Sequence, residues 1–149
     1  MGVSGLVVVD ASVAVKWLVR EEDTDKALTI LRAWHEEEVT PVAPYLLPFE
    51  VANALHRKVF RGQLSVGDST RMIAQLIGSR LEFHQTAGLH ARALELASEL
   101  QQGAVYDAHY LALAEELHCE VWTADQRFHR AVSDRFEHVR WLGEFVVPE

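Results

Sequence analysis

The sequence predicts an α/β/α sandwich built on a central, mainly parallel five-stranded sheet. Short apolar runs bounded by turn residues recur along the chain, segments with helical spacing of apolar residues separate them, and 149 residues suit one hydrophobic core. Apolar residues make up 49% and charged residues 24%, with no Pro/Gly-rich or low-complexity stretch, so residues 1–149 are expected to form a single domain ordered from about residue 6 to 147. No repeat with a solenoid-like period is present.

The first strand is the continuous, β-branched run Leu6–Val9, the signature of a strand buried on both faces. Asp10 ends it, and Ser12 is expected to cap a helix carrying Val15, Leu18 and Val19 at helical spacing. Thr24 opens a second helix, with Ala27, Leu31 and Trp34 along one stripe. A short strand follows at Val42 and Ala43, then a turn at Pro44. Pro48 fits the first turn of a third helix that runs to about Phe60 and stops at Gly62. The fourth helix is expected over Val66–Ile77, a third strand over 81–84, and a fifth helix over 88–101 that Gly103 ends. A sixth helix over 106–118 leads into a strand at 120–123. A short helix from Gln126 and a strand at Val139–Trp141 complete the pattern.

Composition narrows the function. Cys119 is the sole cysteine, which excludes an intrachain disulfide and a multi-thiolate zinc site, and fits a reducing compartment. The apolar opening run has no basic residue before it and is interrupted by Asp10 and Lys16, so it reads as a buried strand rather than a leader or a membrane span. Gly2 is not followed by the Ser or Thr at position 6 that myristoylation wants. A cytoplasmic protein without a membrane partner is expected. The net charge of −8, from 14 basic and 22 acidic residues, argues against a broad basic nucleic-acid face, although local basic residues and bound cations can override it.

The carboxylates carry the chemistry. Asp10 and Asp125 each follow an apolar strand and precede a helix, which places both at the carboxyl edge of a parallel sheet, where ligands of such folds bind. Glu50 and Asp107 fall in the first turns of their helices, where the helix dipole favours an anion. The helix of Glu50 nearly follows a strand, whereas that of Asp107 leads into one, and strand-end geometry does not by itself bring Asp107 to the rim. Four converging carboxylates repel one another unless a cation sits among them, and oxygen ligands favour Mg²⁺ or Mn²⁺. Such a site suits phosphodiester hydrolysis by a metal-activated water. Glu50, Asn53 and Arg57 share one polar stripe, from which Asn53 can orient a ligand and Arg57 can meet a phosphate. Each acid taken alone also fits an ordinary role: Asp10 and Asp125 as helix caps, Glu50 and Asp107 as first-turn acids. Spacing leaves the two readings open.

Three segments, VVVDASVAVKWLV, APYLLPFEVANALHRKV and GAVYDAHYLALAEELHCEVWTADQRF, together span most of the chain and resemble the PIN-domain nucleases, more closely the toxins of VapBC toxin–antitoxin pairs. The resemblance implies a PIN-like fold and a Mg²⁺- or Mn²⁺-dependent endoribonuclease. It places Asp10, Glu50, Asp107 and Asp125 at the family's catalytic, metal-holding acidic positions, with Ser12, Asn53 and Thr123 in support. It also implies an RNA substrate, a homodimer and a cognate VapB-like antitoxin. Gln126 stands where some relatives carry another acid, so a fifth carboxylate is not expected. A housekeeping RNA-processing nuclease and a catalytically silent interaction module are the alternatives.

The densest basic run, 56–61, offers Arg57, Lys58 and Arg61 for steering RNA, and Lys16 and Arg20 stand on the first helix near the same rim. A solvated helix face accounts for the run equally well. The eight histidines show no metal-binding spacing; His109 follows Asp107 by two residues, which turns it to another side of the helix. The four tryptophans read as core, and Cys119 as a buried, inert thiol.

Overall fold

In the computed structural model, which describes residues 5–149, the chain forms five strands and seven α-helices; Gly2 lies outside the described residues. In chain order these are β1 (Leu6–Val9), α1 (Ala11–Leu18), α2 (Thr24–Glu36), β2 (Thr40–Ala43), α3 (Leu46–Phe60), α4 (Val66–Ile77), β3 (Glu82–Phe83), α5 (Leu89–Glu99), α6 (Tyr106–Leu117), β4 (Val121–Thr123), α7 (Gln126–Val132) and β5 (Val139–Trp141), followed by a 3₁₀ turn at Leu142–Glu144. All the strand pairings are parallel, in the order β3-β2-β1-β4-β5, and helices cover the sheet as an α/β/α sandwich.

The central strands explain themselves. Val7, Val8, Val9 and Val121 are fully buried, as strands with helices on both faces must be. In α6 the seven consecutive residues from Ala108 to Ala114 are all buried, so this helix lies inside the molecule, packed on α5 and β1. Trp34 and Trp122 meet edge-on in the core at 6.2 Å between centroids, and the half-buried Trp17 donates its indole N–H to the Ala27 carbonyl at 3.0 Å.

Local details depart from the sequence expectations at four places, the first being Glu50, which lies in the second turn of α3 and not the first because the helix already starts at Leu46. The cap of α1 is Asp10, which accepts from the Val13 amide, and not Ser12, whose hydroxyl is engaged elsewhere. Val19 lies beyond the end of α1 in extended backbone. Helix α5 ends at Glu99, ahead of Gly103, and Gln101 takes the left-handed turn at φ 54° that a glycine was expected to supply. Gly62 behaves as expected, with φ 74° just past α3.

Candidate active site

Pairing of β1 with β4 builds the centre of the site. Val9 stands opposite Trp122, and the Asp10 amide continues the ladder by donating to the Trp122 carbonyl at 3.2 Å, so the residues that follow the two strands emerge side by side at the carboxyl edge. The Ser12 hydroxyl then stitches the two loops. It donates to Asp10 Oδ1 at 2.5 Å and accepts from the Ala124 amide at 2.8 Å. Thr123 is fully buried, and its Oγ1 accepts from the Asp125 amide at 3.0 Å. Asp125 itself caps α7, accepting from the amides of Arg127 and Phe128 at 3.0 and 3.2 Å.

Asp107 reaches the same edge by a route that strand-end reasoning overlooks. Helix α6 runs into β4, which starts at the amino edge of the sheet, so the far end of α6 returns to the carboxyl edge. Its 12 residues span about 18 Å, enough to cross the sheet. Tyr106 and Asp107 therefore begin the helix at the rim. Electrostatic coupling reports the convergence: Asp107 feels the charges of Glu50 and Asp125, and Asp10 feels that of Asp107. Four regions distant in sequence thus deliver four carboxylates linked electrostatically through Asp107.

Their environments differ. Asp10 is 5% exposed, and burial lifts its carboxyl to about 7; hydrogen bonds from Ser12, Thr123 and Val13 oppose the rise, and the charge of Asp107 adds to it. Asp107 is half-buried and is lifted to about 6 by burial, then by the charges of Glu50 and Asp125. Glu50 is half-buried and Asp125 exposed, so the cluster is closed at Asp10 and open at Asp125. Asn53 lies exposed one helical turn beyond Glu50.

The donor set is oxygen alone, which suits a hard cation such as Mg²⁺ or Mn²⁺ rather than zinc. Among the described residues, no three side chains of His, Cys, Asp or Glu stand close enough to grip one ion between them. A cation fitting this site would be held by one or two carboxylates and would keep water as its other ligands, the usual habit of Mg²⁺.

A second residue type meets the acids at Ser12. An open concavity of about 280 Å³ is lined by Ser12, Lys16, Glu21, Arg57, Lys58 and Arg61, among others. The sequence-predicted cations therefore do converge, though not all freely. Glu21 holds Lys16 and Lys58, each at 3.3 Å, which leaves the exposed Arg57 and Arg61 as the open charges of this wall. Arg20 pairs instead with Asp25 at 3.0 Å, in an exposed contact. A roomier groove of about 870 Å³, lined in part by Leu31, Val39, Leu76 and Leu81, contains none of the acids.

His109 turns away from Asp107, as its helical position requires. Its Nδ1 meets the Val105 carbonyl at 3.0 Å and its Nε2 meets His90 at 2.8 Å. Cys119 is buried, and burial raises its thiol to about 11, so it is inert. Sequence reasoning missed Tyr110. Its ring is buried, and its hydroxyl donates to Glu50 Oε1 at 2.5 Å. Burial, then the neighbouring Glu50 charge, pushes the phenol far above its ordinary value. Spacing of three from Asp107 was the available signal, since it sets both residues on one face of α6.

Residues 7–133 match the family described as PIN domain. The chain is 30% identical over 122 residues to VapC ribonuclease Mb0985 of Mycobacterium bovis and to Ribonuclease VapC9 of Mycobacterium tuberculosis, covering 82% of this chain and 87% of each relative. Ribonuclease VapC3 of Pyrobaculum aerophilum is 33% identical over 123 residues, 80% of this chain and 89% of that protein. A solved structure, the crystal structure of PAE2754 from Pyrobaculum aerophilum, matches with a TM-score of 0.63 over 84% of each chain, and at 22% identity it speaks for the fold alone. A family match over most of the chain, joined by relatives at this identity over most of their own lengths, makes this protein a member of the PIN-domain family.

Proposed function

We propose that the protein is a metal-dependent endoribonuclease, the toxin of a type II toxin–antitoxin pair, acting through Asp10, Glu50, Asp107 and Asp125. The observation that carries this reading is that Asp107 feels the charges of Glu50 and Asp125 while Asp10 feels that of Asp107, in a chain whose relatives bear the name VapC ribonuclease. Mg²⁺ or Mn²⁺, when bound, supplies a water of lowered pKa and neutralises charge on the leaving oxygen. One or two of the four carboxylates would hold it directly, with the others acting through its bound water. Asp10, deepest in the cluster, is fixed by the Ser12 hydroxyl and the Val13 amide, so its geometry is set before any ligand arrives. Thr123 and Ser12 brace the loop that carries Asp125, and Asn53 orients the substrate side of Glu50.

Arg57 and Arg61, with Lys16 and Lys58 behind them, receive the RNA backbone beside the acids. The remaining attributes go with this reading: one domain over 1–149, a cytoplasmic site of action, a homodimer and a VapB-like antitoxin. Asp10→Asn tests the core of it. The expected outcome is loss of Mg²⁺-dependent RNA cleavage with the circular dichroism spectrum kept, and equal cleavage by the variant sinks the proposal. Mapping cleavage ends in total RNA after brief induction, wild type against Asp10→Asn, identifies the substrate.

A further inference from the structure

We infer that Tyr110 is a positioning residue that holds Glu50 in register for the cation through its phenolic hydroxyl. The inference rests on the nuclease reading above and adds a residue to it.

Glu50 owes its placement to a single side-chain contact. Asp10 and Asp125 are each anchored by backbone amides of the helices they cap, whereas Glu50 lies in the first two turns of α3 with a long, half-exposed side chain. A glutamate has three rotatable side-chain bonds, and freezing them on a ligand costs conformational entropy. Among the described residues its one hydrogen bond is the 2.5 Å contact from Tyr110 to Oε1, which leaves Oε2 open for a cation.

Tyr110 is suited to hold it. The ring is 1% exposed in a helix buried on every side, so the hydroxyl is presented from a rigid base. A buried hydroxyl without a partner is destabilising, and the Glu50 carboxylate supplies the acceptor that this one needs. Because Tyr110 follows Asp107 by three residues, α6 delivers one acid of the cluster and the tether of another on one face. The bond therefore ties α3 to α6, fixing the spacing of Glu50 and Asp107. Partners that orient metal ligands typically matter by 10–100-fold in metal affinity or activity.

Tyr110→Phe removes the hydroxyl and keeps the ring. Melting is followed while Mn²⁺ is titrated in, alongside RNA cleavage at limiting and saturating Mn²⁺. The expected result is a half-saturating Mn²⁺ concentration about 10-fold or more above wild type, with cleavage depressed most at limiting metal and largely restored at saturation. A purely structural tyrosine would lower the metal-free melting temperature and leave half-saturation unchanged, and that outcome overturns the inference. Glu50→Asp withdraws the carboxylate from the hydroxyl without touching the α6 core, and in that background Tyr110→Phe is expected to change half-saturation no further. Additive losses in the two variants also overturn the tether. A wild-type protein that neither melts higher with Mn²⁺ nor cleaves RNA overturns the nuclease reading itself, and this inference with it.

Discussion

Asp10 caps α1, receives the Ser12 hydroxyl and remains almost wholly buried, a combination that serves a ligand better than it serves stability. Its carboxyl is raised from 3.8 to about 7, so the folded protein retains a proton that the unfolded chain releases. The stability this group contributes is therefore full below about pH 4 and is lost as pH climbs through 7; Asp107, raised to about 6, acts with the same sign. Calorimetry in chelator is expected to give melting temperatures that fall between pH 5 and 8. Asn keeps the cap and the Ser12 contact but carries no charge, so Asp10→Asn is expected to flatten that fall and to melt a few degrees above wild type at pH 8. A wild-type profile that rises over this range contradicts the assignment. Asp10 was legible in sequence because a polar residue ending the run Leu6–Val9 has few places to go. Tyr110 was not, because an aromatic within YLALA reads as core until its one polar atom is seen to face Glu50.

At the scale of the element, α6 shows what periodicity hides. A helix buried on all sides has no polar face to set its orientation, and its sequence gives no preferred direction of burial. Its placement follows from connectivity: it feeds β4, so it begins where β4 ends, and Asp107 comes with it. The same reasoning was available from the order of strands and helices, but attention to helices that follow strands passes over those that precede them. Leu111→Ala and Leu113→Ala, both inside this helix, are expected to cost about 2–5 kcal/mol each in denaturant melts. Helix ends offer the opposite effect. Gln101 is exposed and left-handed at φ 54°, so Gln101→Gly is expected to stabilise the protein by about 1 kcal/mol, visible as a higher denaturant midpoint with an unchanged slope.

At the scale of the whole molecule, a chain of net charge −8 must attract RNA locally or not at all. On the proposed nuclease reading the wall with Arg57 and Arg61 exposed supplies that local attraction, and Arg57→Ala is expected to weaken RNA binding and to reduce its dependence on salt by about 0.7 of a log unit per log unit, the share of one single-strand phosphate contact. An unchanged salt slope would place the RNA on another face. The parallel sheet was legible as a whole because alternating strands and helices allow few other arrangements, while β3, two residues long, carries too little pattern to be bounded from sequence. The neighbour of β1 on one side is β4, so the Ser12 hydroxyl and the Ala124 amide join across 112 positions of chain. A growing polypeptide therefore has Asp10 from early on but cannot give its loop the Trp122 and Ala124 contacts until β4 has been made and paired. The carboxyl edge is thus completed in the order of synthesis, with the first loop waiting for its last support until residue 124 has been made and β4 has paired.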